Sequence, residues 1–296
     1  MTPSHALRLL TLSAIWGASF LFMRLSAPSL APAVLVVFRV GLAALFLAGV
    51  VWYTQRPFEL RRNAPHYLIL GLFNAAIPFT LFAYAAKTAP AALLAILNAT
   101  APLWAAVFGA AWTRTPLTAR TLLGLLLGIG GVALLAGIET LTLPAGAGFA
   151  VLAATTASAS YGVATLYARS LTGIAPHANA LGSMSAATLL LLPLALFSPL
   201  PGELPSATVL LSVAALGVMC SGLAILMYYR LIAEIGAVQA LTVTYLIPVF
   251  GILWGALFLG ERIGWHTLAG SLAVLAGTAL VTGFSPRLPP LFRASR

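Results

Sequence analysis

The chain is built almost entirely from apolar runs about twenty residues long, separated by short polar breaks. A helix that spans a bilayer needs about 20 mostly apolar residues, and a spanning helix satisfies its own backbone hydrogen bonds in lipid. The runs therefore predict an all-α integral membrane protein with ten spans and no sizeable domain outside the membrane. We expect the spans at 7–24, 33–54, 66–86, 91–112, 119–138, 146–168, 178–198, 207–229, 237–259 and 264–284.

Charged residues are too scarce to coat a soluble protein. They make up 7% of the 296 residues, against about 25% in a typical soluble domain. The fifteen basic residues leave only one or two per loop, so we expect the lipid bilayer as a partner and no nucleic acid. Cys220 is the only cysteine, and the four histidines fall at the N-terminus, in loops or at span ends, so we predict no disulfide and no metal site. No phosphate-binding Gly-Lys-Ser/Thr loop is present, and we expect no cofactor.

The basic residues are divided unequally between the two sides of the membrane. With the N-terminus in the cytoplasm, eleven of the fifteen fall in inner segments. Only Arg24, Lys87 and Arg262 fall in outer loops, and Arg39 lies within a span. Because positive charge is retained on the cytoplasmic side, we predict that both termini are cytoplasmic.

An internal repeat relates the two halves of the chain. Near the N-terminus, Ser13-Ala14-x-Trp16-Gly17 aligns with Ser158-Ala159-x-Tyr161-Gly162 at a shift of 145 residues. Glycine and alanine could match by chance in an apolar sequence, but a matched proline and a matched aromatic–glycine pair favour a true repeat. Further pairs, at a shift of 146, are Pro102/Pro248, Gly124/Gly270 and Gly131/Gly277.

The repeat divides the chain into 1–140 and 146–284, followed by a cytoplasmic tail at 285–296. Each half carries five spans, and because five is odd, the second half enters the membrane upside down. Inverted repeats of this kind are typical of secondary transporters, which bind their substrate near the midplane between the halves. We predict alternating access by movement of the two halves around a central cavity.

Several short motifs resemble those of a known family. Leu259-Gly260-Glu261-Arg262, followed by Gly270 and Gly277-Thr278, resembles the end of an EamA-type repeat, as do Tyr245-Leu246-Ile247-Pro248 and Trp16-Gly17 with Arg24 and Arg39. The chain is identified as a member of the EamA branch of the drug/metabolite transporter superfamily, and it is similar to the YddG-like amino-acid exporters within it. This resemblance implies ten transmembrane helices as two inverted-topology five-helix repeats, a central substrate cavity and a bacterial inner membrane. The first half departs from the motif, with Thr113-Arg114-Thr115 in place of Leu259-Gly260-Glu261, so we do not expect that turn to be essential in both halves.

Polar residues inside spans are candidates for substrate contacts, because an unpaired polar group is costly in lipid. Three of them lie four residues before a proline, on one helix face. Each proline frees the carbonyl one turn earlier and bends the helix, so we predict hinges at the prolines and substrate contacts at the polar residues. Alternatively, the two asparagines hydrogen-bond across helices as packing contacts. The pairs are Asn74/Pro78, Asn98/Pro102 and Thr244/Pro248.

Aromatic residues deep in the spans are candidates for the apolar part of the site. Trp16 and Tyr161 are repeat equivalents, and Ser158 lies three residues before Tyr161 on the same face. We predict that these three residues bind substrate, together with Phe79 and Tyr245. Weaker candidates are Tyr84, Trp104, Trp254 and, as lining or cap of span nine, Gln239. Residues nearer span ends are expected in the aromatic belt, namely Trp52, Tyr53, Trp112, Tyr228, Tyr229 and Trp265.

Arg39 is the clear charge within a span, about 9 Å along the helix from its outer end. We expect it to extend to the outer headgroups or to form a structural pair, with a substrate carboxylate as the alternative partner. The second half carries Met184 or Ser185 at the matching place, so the charge is not part of a symmetric site.

The predicted function is secondary transport or facilitated diffusion of small metabolites, with export favoured and amino acids, aromatic ones included, as leading substrates. No glutamate lies mid-span, which removes the usual proton relay and argues against a pump for lipophilic cations. A multidrug, nucleoside or sugar exporter of the same fold is the alternative. A remote alternative is an intramembrane lipid-modifying enzyme, for which Ser158 with Tyr161 would be the best reactive pair. Glycine ridges at 124, 128 and 131 and at 270 and 277 predict close helix packing within a monomer.

Overall fold

The computed structural model describes residues 3–55, 57–142, 147–171, 173–199, 201–236, 240 and 242–283, and among these it leaves undescribed the side chains of 136–142 and 169. Gln239 and the predicted tail at 285–296 lie outside the described residues. All regular structure within the described ranges is helical.

Ten helices account for the predicted spans. Nine helices in the described part of the chain are long and apolar enough to cross a membrane, and Ala119–Thr142 is apolar over Ala119–Leu135. The protein is therefore an all-α, multi-pass membrane protein of two inverted five-helix repeats. Spans 1 to 10, in chain order, are Pro3–Ser26, Pro32–Tyr53, Leu60–Ala85, Ala91–Thr113, Ala119–Thr142, Ala147–Ser170, Pro176–Leu196, Ala207–Ile235, Thr242–Leu259 and Trp265–Thr282.

Two predicted boundaries are wrong by six residues. Span 3 begins at Leu60 rather than at 66, and span 8 ends at Ile235 rather than at 229. The sequence prediction followed the apolar layer, whereas each helix continues into polar surroundings as an extra turn or two. Arg61 and Arg62 lie in that first turn of span 3, and Pro65 lies inside the helix, where its ring removes one backbone N–H donor.

The two halves interlock through glycines that are equivalent in the repeat. A Cβ built on Gly17 of span 1 would lie 2.6 Å from Phe250 Cβ in span 9. A Cβ built on Gly162 of span 6 would lie 2.9 Å from Trp104 Cβ in span 4. Phe250 and Trp104 are themselves 146 residues apart. The same tight contact is therefore made twice, and each time it joins one half to the other.

The predicted glycine ridges pack spans 5 and 10 against each other within the chain. A Cβ on Gly124 would lie 2.7 Å from the carbonyl oxygen of Gly277, and a Cβ on Gly131 would lie 2.8 Å from that of Gly270. The helix backbones approach so closely that a larger residue at any of these positions would push them apart.

Three spans depart from regular α-helix near the middle of the membrane. Span 3 contains a π-helical segment at Leu72–Ala76, and span 8 contains one at Ala215–Leu223. Span 4 is divided into Ala91–Asn98 and Ala101–Thr113. A shift of 146 residues places the first π segment within the second. The irregular segments surround the central cavity, and π segments are frequent at functional sites.

Candidate functional site

A cavity of about 500 Å³ lies between the two halves and is lined by residues from both. This volume is within the range of about 300–1,000 Å³ typical of small-molecule sites. Ser158, Pro78 and Pro248 do not line it. The predicted residues that do are Trp16, Asn74, Phe79, Asn98, Pro102, Tyr161, Thr244 and Tyr245.

The cavity is closed at one membrane face and reaches the other. We call the face where span 1 begins the N-terminal face. Lining residues toward the opposite face, such as Met23 and Phe82, are buried. Toward the N-terminal face the lining includes the exposed Thr165 near the end of span 6 and Thr282 at the end of span 10. A small molecule would therefore enter this conformation from the N-terminal face.

The break in span 4 presents Asn98 to the cavity. Pro102 has no N–H to donate to the Asn98 carbonyl, and the helix is interrupted between Asn98 and Ala101. The Asn98 side chain lines the cavity and makes no hydrogen bond with the described residues. Its amide is therefore available to a ligand rather than used as a packing contact between helices.

Asn74 is placed in a similar way by the π segment of span 3. Asn74 lies within the π segment Leu72–Ala76, which ends two residues before Pro78. The Asn74 side chain also lines the cavity without a hydrogen bond to the described part of the protein. In span 9, by contrast, Pro248 lies within an uninterrupted helix from Thr242 to Leu259.

Ser158 contacts the helix break in span 4 and does not line the cavity. It is fully buried, and its hydroxyl donates to the carbonyls of Leu97 at 2.8 Å and Ala154 at 3.0 Å. Thr278 of span 10 donates to another carbonyl of the break, that of Ala99, at 3.0 Å. A hydroxyl engaged in this way is also poorly suited to act as the nucleophile of a lipid-modifying enzyme.

The aromatic wall is larger than the sequence predicts. Trp16 donates from Nε1 to the Cys220 carbonyl at 3.1 Å, and its ring centroid lies 5.2 Å from that of Tyr228. Tyr228 and Tyr229 line the cavity, so their assignment to the belt is wrong. Span 8 continues to Ile235, and this places both tyrosines well inside it. Trp52, Tyr53, Trp112 and Trp265 are exposed near their span ends. Of the weaker candidates, Tyr84, Trp104 and Trp254 do not line the cavity.

Arg39 lies at the closed end of the cavity, so the prediction that it extends to the headgroups is wrong. Only 4% of the residue is exposed. Its Nε donates to Ser221 Oγ at 3.0 Å, Nη1 lies 3.7 Å from Met23 Sδ, and Cζ lies 3.7 Å from the centre of the Phe79 ring. Span 8 approaches span 2 closely enough to hold the guanidinium inside the bundle. The wall of the cavity thus combines one cation, two free amides, hydroxyls and aromatic rings.

Ser221, Cys220 and Ser19 are lining residues that the sequence analysis missed. A signal for the first two was present, because the 146-residue shift aligns Asn74 with Cys220 and Gly71 with Gly217. Following that register through span 3 would have identified the π segment of span 8 as a second wall of the cavity.

Two contacts close the opposite face. The Glu261 carboxylate, in the turn between spans 9 and 10, accepts hydrogen bonds from the N–H groups of Ala91 at 2.7 Å and Ala92 at 3.1 Å. This carboxylate therefore caps the start of span 4, where the helix dipole favours negative charge. Arg24, at the end of span 1, donates to the carbonyls of Ala86 at 2.9 Å and Lys87 at 2.6 Å.

Comparison with known proteins gives consistent results along the whole chain. Residues 4–137 and 148–283 each match the model of the EamA-like transporter family. The chain is 20% identical to "Uncharacterized transporter YoaV" of Bacillus subtilis over 93% of this chain and 96% of that protein. It is 25% identical to an "Uncharacterized transporter" of Archaeoglobus fulgidus over 95% of this chain and 98% of that protein. One solved crystal structure, 20% identical, covers 97% of this chain and 100% of its own, with a TM-score of 0.66, and it supports the fold alone.

Proposed function

This chain belongs to the EamA-like transporter family, and we propose that it exports small polar or amphipathic metabolites, foremost amino acids and including aromatic ones. It is a multi-pass membrane transporter. Export rests on the resemblance to amino-acid exporters.

The observation that carries the substrate class is the pair of free amides in an aromatic cavity. Asn98 and Asn74 offer both donors and acceptors at membrane depth, as a zwitterion requires. Trp16 and Tyr161 supply apolar surface for a side chain. No acidic residue lines the cavity among the described residues, which disfavours a lipophilic-cation pump of the multidrug type.

We propose that the two halves move against each other around this cavity, with hinges at Pro78, Pro102 and Pro248. The tight contacts of Gly17 and Gly162 belong to the same repeat, so an exchange of their geometries would close one face as it opens the other. The excess of basic residues in the segments on the N-terminal face favours a cytoplasmic position for that face and for both termini. The conformation described here then accepts substrate from the cytoplasm, in a bacterial inner membrane. A fused pair of halves needs no second copy, and we propose a monomer.

Flux of labelled amino acids into proteoliposomes, with and without a pH gradient, tests this proposal. We expect saturable flux of neutral amino acids that does not depend on the gradient, because the described residues that line the cavity include no carboxylate to carry a proton. Absence of flux for every amino acid, in protein shown to be folded, would contradict the substrate class.

The variant Asn98→Ala tests the site itself. We expect transport kcat/KM to fall by about two- to tenfold, since a ligand hydrogen bond is worth about 0.5–1.5 kcal/mol. The folded yield should stay near normal, because the Asn98 side chain makes no hydrogen bond to the described residues of a neighbouring helix. Unchanged kinetics would remove Asn98 from the site.

A further inference from the structure

We propose that Arg39 binds the carboxylate of the transported substrate at the closed end of the cavity. The inference rests on the proposed function and narrows its substrate class. The cargo must carry a carboxylate, as amino acids and small organic acids do. Amines and neutral compounds of the same shape are then poor ligands.

The Arg39 guanidinium keeps donors free for a ligand. Of its five N–H bonds, one points from Nε to Ser221 Oγ and one from Nη1 to the weak acceptor Met23 Sδ. Nη2 makes no hydrogen bond with any described residue, although Arg39 lines the cavity. The guanidinium thus presents to the cavity the kind of fork that matches a carboxylate.

The charge of Arg39 has no counterion in the described protein. Glu234 pairs with Arg8 and Arg230 at the end of span 8, and Glu261 caps the start of span 4. Glu59, the residue before span 3, pairs with Arg62 in the first turn of that span. None of the ion pairs among the described residues includes Arg39. A buried charge without a partner is costly, and an anionic ligand removes that cost when it binds.

The surroundings favour a single negative charge. Phe79 covers one face of the guanidinium and Phe82 lies nearby in the lining, so the closed end is partly apolar. One arginine balances one carboxylate, whereas a phosphate dianion would leave a negative charge uncompensated in this wall. The ammonium group of an amino acid would face the amide oxygens of Asn74 or Asn98, and an organic acid would need neither.

A purely structural arginine is the competing explanation, because the contacts with Ser221 and Phe79 would persist without a ligand. The two explanations differ in ligand preference. If Arg39 is purely structural, replacing it lowers the stability of the protein and leaves the relative affinities for different ligands unchanged. If Arg39 binds the ligand, it determines how much more tightly a carboxylate binds than its amine analogue.

The test uses two series of compounds that share a side chain. The first is phenylalanine, 3-phenylpropanoate and phenethylamine, and the second is leucine, 4-methylpentanoate and isopentylamine. Dissociation constants are measured calorimetrically on the full chain in detergent. We expect the two carboxylates of at least one series to bind. The amine of that series should bind with a dissociation constant about ten- to a hundredfold higher, because a hydrogen bond to a charged group is worth about 1.5–3 kcal/mol.

Arg39→Met should abolish this difference, and methionine is the residue that the second half carries at the equivalent position, Met184. Arg39→Lys should restore part of it. Arg262→Met, which removes the same charge from an exposed turn, should leave the preference intact. If Arg39→Met does not fold, the wild-type series still decides.

Equal binding of amines and carboxylates by the wild-type protein overturns this inference. If labelled amino acids are nevertheless transported, the proposed function stands. A carboxylate preference that survives in Arg39→Met also overturns it. Binding of neither series, together with no flux of any amino acid, overturns the inference and the proposed function at once.

Discussion

The first half of the chain brings Arg39 and Asn98 to the cavity, where the second half brings Met184 and Thr244. The second half in turn supplies Glu261 to close the opposite face, where the first half has Thr115. The glycines at the helix contacts, by contrast, are found in both halves. The scaffold is therefore symmetric whereas the chemistry is divided, with the cation and the two amides in the first half and the closing carboxylate in the second.

The largest expected effect tests the symmetric part of this comparison. Gly17→Leu and Gly162→Leu should each reduce the yield of folded protein severely, because the new side chain meets Phe250 or the Trp104–Ala105 backbone at less than 3 Å. Overpacking of this kind costs about 1–3 kcal/mol or more. The measurement is monodisperse yield on size exclusion in detergent. Gly49→Leu is the matched control, since nothing lies within 4 Å of a Cβ there. A normal yield for only one of the two glycine variants would contradict the equivalence of the two glycine contacts.

An intermediate effect is expected where the halves differ. Glu261→Gln should release the start of span 4 and favour opening at the opposite face by about tenfold or more, because hydrogen bonds to a charged group are worth about 1.5–3 kcal/mol. The readout is the rate at which an impermeant thiol reagent modifies a cysteine at Ser19, in a Cys220→Ala background, from each side of oriented vesicles.

Thr115→Val is the control for that experiment, because Thr115 is the repeat equivalent of Glu261. It should leave the labelling rate from both sides unchanged. Equal effects of the two variants would mean that the closing contact is shared between the halves after all.

The smallest expected effect separates two equivalent serines. Ser158→Ala removes a hydrogen bond to the Leu97 carbonyl at the break of span 4, whereas Ser13→Ala removes only a bond to Leu9 in its own helix. We expect Ser158→Ala to lower stability by about 1 kcal/mol and Ser13→Ala by less. Thermal unfolding in detergent measures both, with transport per folded molecule near normal. A large loss of substrate affinity in Ser158→Ala would return Ser158 to the site.

The fold could be predicted because two of its signals are read directly from the sequence, namely the length of the apolar runs and the internal repeat. Asn98 and Asn74 could be assigned to the cavity because both lie within apolar runs. In each case a proline four residues later leaves the asparagine carbonyl without its helical hydrogen bond. The direction of the Arg39 side chain was not predictable in that way. A snorkelling arginine and an inward-facing arginine occupy the same position in a helix, and the choice depends on how closely span 8 approaches span 2.

Tyr228 and Tyr229 illustrate a second limit. The apolar run ends at residue 229, whereas the helix continues to Ile235, so position along the hydropathy profile misjudges depth. The π segments also leave no signal in the amino-acid composition. The wider helical turn changes the direction in which side chains point, but it does not require particular residues. Only the repeat register, which aligns Asn74 with Cys220, carried information about that wall.

The interlocking of the halves has a consequence for synthesis. Span 1 packs on span 9, which leaves the ribosome after almost all of the chain has entered the membrane. The hydroxyls of Ser13 and Thr80 can remain in lipid before later spans are made, because each donates to a carbonyl one turn back in its own helix. The Arg39 guanidinium has no such partner within span 2, and its acceptor, Ser221, is made in the last third of the chain. Assembly is therefore expected to hold span 2 near the insertion machinery until span 8 arrives, which makes Ser221 as important for biogenesis as for the finished cavity.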